Sequence, residues 1–312
     1  MTIPTRLRAP VVGLSLLGLG TFTACILLYP PTVSTTHLLV LLTLLALALT
    51  SELLALTITR WGTTATMEFV PQLGAILLLG PAYAGFLTLT SVALYQFVLT
   101  DRPYYKALYN LSQVLLAVCA GGLVYLWLGG NPNLRHLDVI GSALPFLAAV
   151  VVYFLTNTFS VSFIVSRAQE QTFRESWQQV TGGVFVLDIV MSPLAYLVAY
   201  MYTRWGAAAL LAALIPIIGL RYSYGVNVEL RKLNSDLLRA LIKALEAQDP
   251  YTSGHSIRVA EGAKRIAREL DLSFHKIQII ETAALLHDIG KVGGAYHEIL
   301  RQETPLTDTQ VN

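Results

Sequence analysis

Long stretches without a charged side chain fill the first two thirds of this 312-residue chain, and they decide what it can fold into. Residues 108–129 and 141–165 contain no Asp, Glu, Lys or Arg at all. A helix needs about 20 apolar residues to cross the hydrocarbon of a bilayer, where every backbone N–H and C=O must be satisfied within the segment. Stretches 11–29, 36–58, 108–129, 141–165 and 183–203 meet that requirement. Residues 64–100 are too long for one span, and Gly80-Pro81 interrupts them, which predicts two short helices of about 19 residues joined by a tight turn. Residues 206–220 are uncharged and can be extended by Trp205. About eight spans are expected in all.

Charge divides the chain. Residues 1–220 contain 16 Asp, Glu, Lys and Arg, whereas the last 92 residues contain 24. The first part therefore reads as lipid-embedded and the second as aqueous. Within residues 221–312 the 12 basic and 12 acidic side chains balance, so no positive field marks a nucleic-acid surface. With eight spans, Arg6, Arg8, Arg60, Arg102, Lys106, Arg167, Arg174 and Arg221 fall on one side, and Arg135 and Arg204 on the other. The positive-inside rule then puts both termini in the cytoplasm. Arg6 and Arg8 precede an apolar run that lacks a small-residue cleavage site, so that run is read as the first span rather than a signal peptide.

Polar residues inside the apolar stretches are expected to face the bundle interior, since an unpaired polar group costs several kcal/mol in hydrocarbon. Glu52, Asn157 and Asp188 are of this kind. Helix-to-helix hydrogen bonding and a ligand- or proton-sensing role both fit them. Cys25 and Cys119 lie in apolar segments without metal-ligand spacing and read as small core residues rather than a disulfide framework.

After Arg221 the pattern turns amphipathic. Leu230, Leu233, Leu237, Ala240 and Ala244 recur at steps of three and four, a seam of about two heptads that suits pairing of two chains. Leu237, Leu241 and Leu245 could equally pack on the helices that follow. Asp249-Pro250 breaks this helix, which gives a membrane region 1–220, a connecting helix 221–248 and a final region 249–312. In the final region one helix is predicted over 256–270, with Val259, Ala263, Ile266, Ala267 and Leu270 as its core face. A second is predicted over 274–289, with Ile277, Ile280, Ala284 and Leu285 inward. The second ends in Leu286-His287-Asp288-Ile289-Gly290-Lys291, where Gly290 stops the helix and leaves Lys291 just beyond. Neighbouring helical residues point about 100° apart, so His287 and Asp288 can share a metal only at a seam between helices, with His255 as a third donor. An Asp at a helix C-terminus needs a compensating cation, and a divalent metal provides one. His275 and His297 read as solvated.

Asp249-Pro250-Tyr251-Thr252-x-Gly254-His255-Ser256-x-Arg258-Val259, followed by the His287-Asp288 motif, resembles the opening of an HD-GYP domain. The resemblance covers about residues 237–312, and a run around Tyr109-Asn110-Leu111-Ser112-Gln113 resembles bacterial membrane sensor regions placed ahead of signalling outputs. It implies an all-α architecture: a polytopic membrane bundle followed by a partial helical HD domain. It further implies hydrolysis of cyclic di-GMP at a centre of divalent metal ions, iron or manganese. His255, His287 and Asp288 would be metal ligands, Asp288 would bridge, and Lys291 would contact phosphate. Tyr251 stands where some members have a glutamate, so two metals are implied rather than three. Val292 to Leu300 lacks the family's usual proline and is one residue longer, and the family's later ligands and Gly-Tyr-Pro motif are not found in this sequence. Thr307-x-x-Gln310 is a helix-start pattern two residues from the end, so a truncated, loosely ordered and catalytically incomplete HD part is expected. The implied setting is a bacterial inner-membrane signalling protein, homodimeric through the connecting helix. A non-catalytic receptor or dimerisation partner, and an HD nucleotidase or alarmone hydrolase, are the alternatives.

Overall fold

The computed structural model describes residues 4–53, 56–58, 63–65, 68–100, 103–181, 186–246, 254–270, 272 and 274–289. The chain forms two compact units, Met1–Gly225 and Val226–Asn312. Among the described residues it is all-α apart from one small ribbon. The first unit holds α1 (Thr5–Leu28), α2 (Thr35–Leu53), α3 (Phe69–Leu79) and α4 (Pro81–Ala93), the last continuing as a π-helical stretch, Leu94–Leu99. There follow α5 (Tyr104–Trp127), α6 (Ala143–Gln169), α7 (Phe173–Val180) and α8 (Val186–Trp205). α9 runs unbroken from Ala207 to Glu246, through Pro216, so the last apolar stretch and the amphipathic seam belong to one 40-residue helix. Leu230, Leu233, Leu237 and Leu241 along it are exposed in the single chain.

Five helices among the described residues are long and apolar enough to cross a membrane: α1, α2, Pro81–Leu99, α5 and α6. The count of eight is not confirmed, and the difference is clearest at residues 64–100. Gly80-Pro81 does divide that stretch, but α3 is only 11 residues long. At 1.5 Å per residue it rises about 16 Å, roughly half the hydrocarbon thickness. The residues before it do not continue a helix: β1 (Leu56–Ile58) pairs antiparallel with β2 (Thr63–Ala65), Leu56 opposite Ala65. Thr57, Ile58, Thr63 and Thr64 are β-branched, which favours a strand over a helix.

Every residue of α3 from Phe69 to Leu78 is buried, against α2, α4 and α8 among others. With lipid outside, such packing is held by van der Waals fit and interhelical hydrogen bonds more than by exclusion of water. The start of α3 supplies the hydrogen bonds. Ser91 Oγ donates to Glu68 Oε1 at 2.8 Å, and the Tyr153 hydroxyl donates to Gln72 Oε1 at 2.9 Å. Glu52 lies against Glu68 inside the bundle, as its apolar setting predicted. Asn157 Oδ1 is also buried, without a hydrogen-bond partner among the described residues. The side chain of Asp188 is not among those described. Replacing Tyr153 with Phe leaves Gln72 Oε1 without that donor, at an expected cost of about 0.6 to 2 kcal/mol. Thermal unfolding in detergent should show a lower midpoint, and an unchanged midpoint would show that the bond adds nothing to the bundle.

The two ends of the bundle are marked by contacts between helix ends and the loops beside other helices. At one, Arg6 at the start of α1 is ion-paired with Glu170 just past α6. At the other, the Tyr83 hydroxyl donates to the Thr32 carbonyl, and Asn133 N–H donates to the Leu77 carbonyl at 3.1 Å. α7 was not anticipated from the sequence, although its start is written there. Thr172 and Glu175 form a reciprocal capping box, with Thr172 N–H to Glu175 Oε2 at 2.8 Å and Glu175 N–H to Thr172 Oγ1 at 3.3 Å. Those bonds hold the Glu175 carboxyl below its ordinary range. Cys25 and Cys119 are buried and unlinked, the Cys25 thiol facing the Cys119 carbonyl.

In the second unit α10 (His255–Glu269) packs against α11 (Phe274–Leu286). The buried face of α10 is Ser256, Ala260 and Ala267, small side chains that allow close approach. Ile266 and Leu270, expected in the core, are 63% and 65% exposed. Ile266 lies one position before Ala267, about 100° round the helix from it, and Leu270 is the residue just past the end of α10.

Candidate metal centre

α10 and α11 run antiparallel, which brings the first residue of one beside the last turn of the other. The pairing is fixed midway by Lys264, whose Nζ lies 2.8 Å from both carboxylate oxygens of Glu281 across the helix seam. Both side chains are largely shielded, at 23% and 18% exposure, so this pair is less screened than a surface one. α10 begins abruptly because Gly254 adopts φ +70°, a left-handed conformation that a side chain disfavours, while its carbonyl accepts the first helical bond from Arg258 N–H at 3.1 Å. His255 is thereby the first helical residue.

α11 ends at Leu286, so His287 and Asp288 stand in the turn after it, not on the helix as expected. The two neighbouring side chains converge there. His287 Nε2 and Asp288 Oδ2 are 3.3 Å apart. The His255 and His287 rings lie 5.5 Å between centroids. One ligand atom from each of His255, His287 and Asp288 falls within 4.8 Å of the others.

The cluster suits a cation. His287 Nδ1 is 2.8 Å from the Ala284 carbonyl, and a carbonyl can only accept, so Nδ1 carries a hydrogen and Nε2 is the ring nitrogen that faces Asp288 and is left to bind a metal in the neutral imidazole. An imidazole held this way by a backbone carbonyl is the usual arrangement behind a metal-ligating nitrogen. The C-terminal end of α11 adds partial negative charge at the same point. Two imidazoles and a carboxylate form a mixed donor set that takes a borderline or hard divalent ion and leaves coordination positions for water or substrate. The residues present therefore fit a divalent metal.

Three of the four site residues named from the sequence are thus brought together, and Lys291 lies outside the described residues. The sequence reading did not anticipate the Lys264–Glu281 bridge or the Ala284 carbonyl. The bridge was accessible in principle, as opposite charges on two helices already expected to be neighbours.

Apolar membrane-length helices in one unit and a His, His, Asp cluster at helix ends in the other define a polytopic membrane protein carrying an HD-type metal motif. Residues 24–229 match MASE9 and residues 252–308 match the HD domain. The chain belongs to the MASE9 family and carries a match to the HD domain near its C-terminal end. A 3'3'-cGAMP-specific phosphodiesterase 3 of Vibrio cholerae is 47% identical over 57 residues, 18% of this chain and 12% of that relative. The cyclic di-GMP phosphodiesterase response regulator RpfG of Xanthomonas campestris is 33% identical over 84 residues, 27% of this chain and 22% of the relative. A 3'3'-cGAMP-specific phosphodiesterase 2 of Vibrio cholerae is 36% identical over 76 residues, 24% of this chain and 15% of the relative. The chain spans less than a quarter of the length of each. No solved structure matches it.

Proposed function

We propose that this protein is a membrane-bound signalling phosphodiesterase whose HD domain hydrolyses cyclic di-GMP. The observation that carries the reading is the convergence of His255, His287 and Asp288 within 4.8 Å, with His287 oriented from behind by the Ala284 carbonyl. In this reading residues 1–220 are the sensor, 221–248 the connecting helix and 249–312 the start of the catalytic domain. The sensor region sits in a bacterial inner membrane with both termini cytoplasmic, where a cyclic dinucleotide is available, and two copies pair along the Leu230 to Ala244 seam.

A bound divalent metal, iron or manganese, supplies Lewis-acid polarisation of the phosphodiester and a more acidic water. The chain's residues do the rest. His255 Nε2 or Nδ1, His287 Nε2 and an Asp288 oxygen would hold the ions. The Asp288 carboxylate would take the proton of the attacking water and return it to the oxygen released as the P–O ester bond breaks, and Lys291 would neutralise charge on the phosphoryl oxygens. Two relatives act on 3'3'-cGAMP by name, which makes that dinucleotide the substrate to compare.

The test is turnover of both dinucleotides by a form of the protein that carries a full set of HD-domain ligands, held in nanodiscs, loaded with manganese or ferrous iron and followed by chromatography. Cyclic di-GMP should be consumed, and His255→Ala should slow it more than about 100-fold, the upper range for losing even a ligand's supporting group. Consumption of 3'3'-cGAMP alone would replace the substrate. No turnover of either by metal-loaded protein would overturn the catalytic reading in favour of a receptor or dimerisation partner.

A further inference from the structure

A groove of about 920 Å³ runs between α1 and α6, floored by α5. Ala9, Gly13 and Leu17 line it from α1, and Leu155, Phe159 and Phe163 from α6. The space beside Gly13 is open, since a Cβ built there meets nothing within 4 Å. The lining is apolar and outward-facing: Leu17 is 60% exposed and Phe159 55%. One end is different. Arg6, Arg167 and Trp177 of the amphipathic helix α7 close it, and there it opens into a second cavity of about 690 Å³ that also touches Glu170 and Gln171.

From Arg6 to Leu17 is 11 residues of helix, about 16 Å, which is close to the hydrocarbon depth of a single leaflet. The basic end thus falls at the level of the head groups, beside a tryptophan of the kind enriched there. Arg167 makes no ion pair among the described residues. Its guanidinium rests over the Phe163 ring, 5.5 Å from the centroid, and is held in place without being neutralised. Arg6 is paired with Glu170, a contact that a phosphate could replace at similar geometry.

We propose that this groove is a binding site for one anionic phospholipid of the leaflet at the Arg6 end, its phosphate held by Arg167 and Arg6 and an acyl chain lying along Gly13. An uncharged wall of one-leaflet length takes the chain, and two guanidiniums at the interface select the head group. The site is independent of the metal cluster and of any reaction there.

Native mass spectrometry of the full chain, released from nanodiscs of mixed phosphatidylglycerol and phosphatidylcholine, tests it. Phosphatidylglycerol should be retained at one per chain and at least fivefold over phosphatidylcholine. Arg6→Gln with Arg167→Gln should abolish that preference. Gly13→Leu, on an open surface, should lower retention of both lipids with an unchanged melting midpoint and unchanged metal content. Equal retention of the two lipids would overturn the proposal, as would retention indifferent to both variants. Displacement of phosphatidylglycerol by stoichiometric oleate would reassign the groove to a free fatty acid, and a lipid-free dimer burying Phe159 would reassign it to a second copy.

Discussion

Alanine at His287 is expected to remove the divalent metal from the second unit while leaving the membrane bundle folded. His287 supplies one of three chain donors, and its Nδ1 is already committed to the Ala284 carbonyl, so no rotation of a neighbour can substitute for it. Loss of a group that merely supports a ligand costs about 10 to 100-fold in affinity, and loss of the ligand itself should exceed that. Elemental analysis of manganese-loaded, desalted protein measures the outcome. His136→Ala is the control, because His136 is exposed in the first unit and far in sequence from the cluster. Equal metal in wild type and His287→Ala would mean that the convergence of His255, His287 and Asp288 is not a metal site.

Leucine at Gly121 or Gly122 is expected to damage the bundle strongly. A Cβ at Gly121 would come within 2.9 Å of the Ala149 carbonyl oxygen on α6. One at Gly122 would come within 2.6 Å of Pro81 Cβ and 3.2 Å of its Cα on α4. Consecutive helical residues point about 100° apart, so this glycine pair lets α5 be approached from two sides at one level. The obstacles at the two sites include backbone, which cannot swing away. Overpacking of this kind costs about 1–3 kcal/mol. Melting midpoint and the monodisperse fraction after detergent extraction should both fall. Gly20→Leu should change neither, since a Cβ there meets open space.

Much of this was legible from composition and motif. Uncharged runs placed α1, α5 and α6, because backbone satisfaction in hydrocarbon leaves so few alternatives. Gly80-Pro81 marked a true break. The Gly254-His255 and His287-Asp288 pairs marked the residues that meet. What escaped was set by tertiary context. An apolar stretch reads alike whether it spans or stops halfway, so the short α3 was invisible behind the average hydropathy of residues 64–100. Glu68, inside that stretch, was the available signal: a charge in an apolar run that Glu52 and Ser91 turned out to face. The burial of α10 followed small side chains rather than large ones, because close helix approach favours Ser256, Ala260 and Ala267 over Ile266.

The brevity of α3 carries a consequence for biogenesis. An 11-residue segment with Glu68 before it and Gln72 within it has too little length to be threaded into lipid by its own hydrophobicity. Its neighbours must hold it, and one of them, α8, starts roughly 100 residues later in the chain. Gly74 approaches α8 closely enough that a Cβ there would meet the Ala195 carbonyl at 4.0 Å. At about 5–20 residues per second of translation, the ribosome adds those residues over roughly 5–20 s, while α3 waits without its final neighbour. Nascent chains arrested before Val186 and carrying Gln72→Cys should therefore leave that thiol open to maleimide labelling and be preferred prey for membrane proteases, whereas chains released after α8 should be resistant.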